Sequence, residues 1–189
     1  MIDKLCDDAK REDIAVACLY YDFLAQQEQT ITNVMGAILK QLVSRGGIPK
    51  EVREAFQEGK GEVGGRGPRL EDLVRMLRIS IASLPRVFIC IDALDKCLPK
   101  LLPEVLKSLR DIVWESPGGA RVFLTGRPYV TEDIKRYFPK AAMTPINPKP
   151  DDIKNYLDMR LERDAEPQAM NSGLRADVVR IILGRISDT

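Results

Sequence analysis

Apolar positions along the chain follow two different spacings. Short unbroken apolar runs occur at Ile14 to Tyr21, at Val87 to Ile91 and in Arg121-Val122-Phe123-Leu124. Runs of this length, rich in Val, Ile and aromatic residues, predict strands buried on both faces, as inside a parallel sheet. Between them the apolar residues recur every three or four positions, which predicts helices. Val34, Met35, Ile38, Leu39 and Leu42 make one stripe, capped by Thr32 and ended by Arg45-Gly46-Gly47. Leu70, Leu73, Val74, Leu77 and Ile81 make a second, with Glu71 and Asp72 in its first turn and Pro85 closing it. Pro103 opens a third, with Val105, Leu106, Leu109, Ile112 and Val113 inward and Trp114 packed at its end.

Shorter elements fill the gaps. Pro49 begins a short helix through Phe56. Gly59 to Pro68 holds five glycines and reads as a surface loop. Thr131 caps a helix to Tyr137. Ala141 to Ile146 reads as a weak strand, placed at an edge because Pro145 has no N–H for a ladder. Asp151 or Asp152 caps a helix to about Arg163, with Ile153, Tyr156 and Leu157 inward. A last helix starts near Arg175 and carries Val178, Val179, Ile182 and Ile186 on one face. Residues 1–11 read as the tail of a helix. Strands alternating with helices imply right-handed crossovers and a mostly parallel sheet.

Composition narrows the chemistry. The chain has 189 residues, 44% hydrophobic and 30% charged, with a net charge of +1. That is ordinary for a globular domain and gives no charge argument for nucleic acid or membrane. Cysteines stand at positions 6, 18, 90 and 97 without a CxxC pair, and there is no histidine. A structural zinc site is therefore not expected, and reduced thiols in the cytoplasm are. Without histidine, Ser/His/Asp and Cys/His catalysis are excluded. Met1-Ile2-Asp3-Lys4 leads into a charged stretch with no apolar leader core, and no run reaches membrane-spanning length.

The candidate chemistry sits where two strands stop. Val87 to Ile91 ends at Asp92, with Asp95 three residues on. A carboxylate at the C-terminal end of a buried strand lies where open α/β sheets bind ligands. Two such carboxylates can hold hydrated Mg²⁺ and position a water. The Arg121 strand ends in Thr125-Gly126-Arg127-Pro128. Arg127 would emerge on the same sheet edge, and its planar fork suits a phosphate. The pair Gly59-Lys60 is not a phosphate loop, since Gly-x4-Gly-Lys-Ser/Thr between strand and helix is required.

These stretches, in this order, resemble the NACHT-type ATPases of the signal-transduction P-loop class. The nearest likeness is to the nephrocystin-like N-terminal domain of fungal NACHT proteins with ankyrin or WD repeats. The shared pattern is an apolar strand, Asp92-Ala93-Leu94-Asp95, a helix, then a strand ending in Thr125-Gly126-Arg127-Pro128. Ala17 to Phe23 resembles that family's second strand, and the likeness runs on through Pro148 to Ile153. The resemblance implies a P-loop NTPase-like three-layer α/β fold lacking its central first strand and phosphate loop. That missing strand would lie between the Arg121 and Ala141 strands. It implies a partial nucleotide-binding domain at 1–163 and a linker with the start of a helical region at 164–189.

By the same resemblance Asp92 coordinates Mg²⁺, Asp95 orients or activates the attacking water and shares the metal, and Arg127 reads the γ-phosphate. Thr125 joins Asp92 and Arg127 in holding the nucleotide, with ATP or ADP and Mg²⁺ as the family's cofactors; without the phosphate loop, weak or absent nucleotide binding and ATPase activity are expected of this chain alone. The family carries an acid where this chain has Lys96. A second reading is a non-enzymatic interaction fragment that binds full-length relatives or oligomerises. A third is an unrelated Mg²⁺-dependent phosphoryl-transfer domain using Asp92, Asp95 and Thr125, which needs Asp22 nearby.

Overall fold

The computed structural model describes residues 7, 14–22, 29–61, 68–116, 119–147, 149–162 and 172–187. The chain divides into two compact units, Met1–Ala141 and Ala142–Thr189.

The first unit is built on three parallel strands in the order β1-β2-β3: β1 Ile14–Tyr20, β2 Arg86–Asp92 and β3 Ala120–Leu124. The register is Ala17↔Ile89 and Cys18↔Cys90 between β1 and β2, and Ile89↔Val122 and Cys90↔Phe123 between β2 and β3. All three apolar runs are therefore strands, and all three carboxyl ends meet at one edge. Side chains alternate by two, so the sheet serves two clusters. Ala15, Ala17, Val87, Ile89, Ile91 and Ala120 join the main core, while Ile14, Val16 and Cys90 form a smaller one with Cys18, Phe88 and Phe123.

Helices close the main core. They are α1 Ile31–Gly46, α2 Lys50–Gly61, α3 Leu70–Ala82, α4 Leu102–Glu115 and α5 Thr131–Tyr137. The predicted stripes of α1 and α4 are buried at Met35, Ile38, Leu42, Val105, Leu106, Leu109 and Ile112. On α3 the buried face is Leu73, Met76, Leu77, Ser80 and Ile81, so Met76 belongs to it as well.

Several local expectations change. Thr30, not Thr32, caps α1: its Oγ1 accepts the Asn33 N–H at 3.2 Å, one turn ahead of the first buried residue. Gly47 then ends α1 at φ 77, a left-handed conformation that glycine adopts without strain. Helix α2 runs to Gly61, so the first glycines of the supposed loop are helical; residues 62–67 lie outside those described. Trp114 is 70% exposed. It stands two residues past Ile112, off the buried stripe and one turn after Arg110, whose guanidinium lies 5.5 Å from its ring. Ala141 to Ile146 forms no strand. Pro145 withholds a donor within this six-residue stretch, and the flanking residues are exposed rather than packed against a sheet. The reading of residues 1–11 as a helix falls, except for helical Asp7, outside the described residues.

The second unit holds α6 Pro150–Glu162 and α7 Ser172–Ser187. Arg175 of α7 donates to Asp158 of α6 at 2.8 Å. Ile153, Leu157, Val178, Val179 and Ile182 are half-buried, whereas Tyr156, expected inward, is exposed. Among the described residues no helix is long and apolar enough to cross a membrane.

One edge of the sheet is capped at Cys18 by a side chain. Gln41 of α1 accepts the Cys18 N–H at 2.9 Å and donates to the Cys18 carbonyl at 2.8 Å. The amide thus satisfies the Cys18 backbone pair as a neighbouring strand would at that one position.

Under the carboxyl edge, Tyr21 and Cys97 meet in the core. Burial pushes the Tyr21 phenol up, and a charge on Cys97 would push it further. Burial likewise pushes the Cys97 thiol up, only partly offset by its contact with Tyr21. The fold therefore favours both groups neutral. Its stability should hold below the ordinary thiol range and fall as the solution passes about pH 9 toward the raised values. Urea midpoints measured from pH 7 to 10 should drop across that window, and Cys97→Ala should flatten the first part of the drop.

Candidate functional site

The site begins with the hydrogen bonding that continues the sheet past its last paired residues. The Thr125 N–H donates to the Ile91 carbonyl at 3.0 Å, and the Tyr21 N–H to the Asp92 carbonyl at 3.1 Å. The Leu94 N–H returns to the Thr125 carbonyl at 2.9 Å. Residues following all three strands are thereby tied into one edge.

Thr125 is the joint. Its hydroxyl donates to the Asp92 Oδ1, and the Thr125 Oγ1 accepts the Ala93 N–H at 3.0 Å. Ala93 sits at φ 54, the one non-glycine residue with positive φ among the described residues. That conformation reverses the chain directly after Asp92, and an L-residue with a Cβ pays roughly 1–2 kcal/mol for it. The turn then enters a short 3₁₀ segment, Leu94–Lys96, which carries Asp95. The segment is held from β3's side by the Tyr129 hydroxyl, which donates to the Asp95 carbonyl at 2.8 Å.

Gly126 makes this approach possible. A Cβ there would lie 2.9 Å from Val130 Cγ2 and 3.4 Å from the Asp95 nitrogen. The Asp95 side chain is 5% exposed, and its Oδ2 is buried without a hydrogen bond. Two cations approach that oxygen: Lys96 Nζ at 3.5 Å and Arg127 Nε at 3.6 Å. Arg127 itself is 68% exposed, and its guanidinium makes no hydrogen bond among the described residues.

All four residues singled out from the sequence therefore gather at one sheet edge: Asp92, Asp95, Thr125 and Arg127. Asp92 meets Thr125, and Asp95 meets Arg127. Asp22 lies two residues beyond Tyr20, the register partner of Asp92, so it belongs to the same edge. Sequence reasoning missed Ala93, Gly126 and Tyr129. Gly126 alone carried a signal, as a glycine wedged between a strand and a proline.

Chemically the edge offers one half-exposed carboxylate, a buried carboxylate under two cations, and an exposed guanidinium. Among the described residues no group of three or more Asp, Glu, Cys or His side chains could hold a metal ion.

Two substitutions test this construction. Ala93→Gly should raise the unfolding free energy by about 1 kcal/mol, because glycine removes the left-handed penalty. Thr125→Val should lower it by about 1–3 kcal/mol, because the Asp92 carboxylate and the Ala93 N–H both lose their partner. Both are read from chemical denaturation. Equal stability of all three proteins would show that the Thr125 joint contributes nothing to the fold.

No curated protein and no solved structure matches the chain. The model of the family described as nephrocystin 3, N-terminal, matches residues 1–127. That span takes in β1, β2, β3 and every candidate residue through Arg127, and it covers more than half of the 189 residues. The chain belongs to the nephrocystin 3 N-terminal family.

Proposed function

We propose that this chain supplies the carboxyl-edge half of a NACHT-type nucleotide site within a signalling switch. The observation that carries the reading is the joining of two separate strand ends through Thr125, which brings Asp92 and Arg127 to one edge. Ligands of open parallel sheets bind at such edges. Phosphoryl groups call for positioning and charge complementarity, which an exposed guanidinium over a fixed carboxylate provides. In this reading Arg127 meets the terminal phosphate, Thr125 and Asp92 shape the floor beside it, and the P-loop NTPase fold is the frame. ATP or ADP is the ligand. Cys18, Cys90 and Cys97 stand in no disulfide among the described residues, which suits a cytoplasmic setting.

The 189 residues contain no Gly-x4-Gly-Lys-Ser/Thr run, so the backbone amides and lysine that normally cradle the phosphates must come from elsewhere or be done without. Affinity for ATP should therefore be low, with a Kd on the order of 10 µM to 1 mM, equivalent to about 4–7 kcal/mol. Calorimetry on the full chain measures it. Loss of binding in Asp92→Ala and Arg127→Ala supports the reading, and no binding by a folded wild-type chain refutes it.

A second reading, an interaction module for full-length relatives, is favoured by a different observation. The β1 edge is capped at Cys18 by Gln41, whereas the outer edge of β3 has no strand beside it among the described residues. Since the Thr125 N–H and carbonyl both face β2's side, alternation turns those of Val122 and Leu124 outward. An added strand would pair there. Val122→Pro removes an outward donor and leaves the β2 ladder intact. It should abolish any self-association or capture of a relative seen by light scattering while the circular dichroism stays native. Association unchanged by this substitution would sink the second reading.

A further inference from the structure

The charge arrangement around Asp95 bears on which form of ligand the edge accepts. A magnesium ion needs near-octahedral oxygen ligands and strong local negative charge. Asp92 offers a single carboxylate, and one of its oxygens already accepts the Thr125 hydroxyl. The orphaned Asp95 Oδ2, buried and without a hydrogen bond, would be the natural second ligand. Yet Lys96 Nζ and Arg127 Nε stand 3.5 and 3.6 Å from that same oxygen. A divalent ion bound to it would stand beside two cations in surroundings that screen poorly, because the Asp95 side chain is 5% exposed. To bind, the ion must displace both cations from that oxygen.

We infer that Lys96 and Arg127 neutralise Asp95, so that this edge holds no divalent cation of its own and takes a phosphate-bearing ligand as the free anion. The first half stands on the ion pairs alone. The second half rests on the nucleotide reading above and narrows it. Arg127 can serve both partners: its contact with Asp95 runs through Nε, and none of its guanidinium N–H groups is hydrogen-bonded among the described residues. A phosphate can therefore be met without breaking the pair with Asp95.

The test uses the full chain and Mn²⁺ alone as probe, with free Mn²⁺ followed by electron paramagnetic resonance. Wild type should bind no Mn²⁺ up to about 1 mM, the weak end of protein sites for hard cations. Lys96→Glu reverses one of the two charges and should bring binding at least about tenfold tighter, a gain that a further Asp92→Asn should remove. Lys96→Ala, which only deletes the charge, gives the same direction if the glutamate variant fails to fold. Wild-type binding below about 1 mM that is lost in Asp92→Asn would overturn the inference, as would lysine variants that bind no better than wild type.

A second arm titrates ATP in EDTA and in Mg²⁺. Dissociation constants agreeing within about threefold support the free-anion half, since that ratio is under 1 kcal/mol. Binding that requires Mg²⁺ overturns it. Absence of ATP binding in both buffers removes the nucleotide reading together with the free-anion half, while the Mn²⁺ titration still decides whether Asp95 is neutralised.

Discussion

The constraint on which the first unit depends is the burial of β2 on both faces. Val87, Ile89 and Ile91 face the main core, and Cys90 faces the smaller cluster behind the sheet. A strand apolar on both sides must be central, and here it is flanked in parallel by β1 and β3. Parallel pairing puts three carboxyl ends together, and the first position free to be polar falls at Asp92. The location of the candidate chemistry is thus a by-product of the packing requirement on the five residues before it.

What converts a strand end into a site is the set of short-range ties beyond the last rung. Thr125 accepts from Ala93 and donates to Asp92, so the left-handed reversal at Ala93 and the carboxylate orientation share one hydroxyl. Gly126 lets the two loops come within van der Waals contact, and Tyr129 fastens the Asp95 turn from the other side. Each tie joins residues more than thirty positions apart in sequence. The strain at Ala93 persists because several hydrogen bonds around it over-determine the turn.

The same split between strand packing and local ties decides what was legible in the sequence. Strands were legible because an unbroken apolar run ending in Asp92 or Thr125 fits little except a strand buried on both faces, and the shared edge of Asp92 and Arg127 followed from parallel pairing. Helix stripes such as Met35, Ile38 and Leu42 were legible for the same reason of period. Features decided by a single residue's phase were not. Trp114 follows the stripe of α4 by two residues and so turns outward, and Tyr156 likewise faces solvent on α6. Thr30 and Thr32 are equally good caps until the position of Ile31 in the helix is known. Nothing in an alanine announces the left-handed conformation of Ala93, and nothing in Lys96 announces that it shares a carboxylate oxygen with Arg127. Pro145 warned of an edge strand at 141–146, but the segment's side chains are all exposed and it pairs with no sheet.

The Gln41 amide has a consequence for how the chain comes together. Cys18 and Gln41 are 23 residues apart, so the guard of the β1 edge arrives soon after the strand itself during synthesis. It can act only when α1 has formed and docked, because the amide must be presented in one orientation to satisfy both backbone groups. Helix α1 therefore shields the Cys18 position of the first strand, and its docking and the covering of that strand backbone are one event.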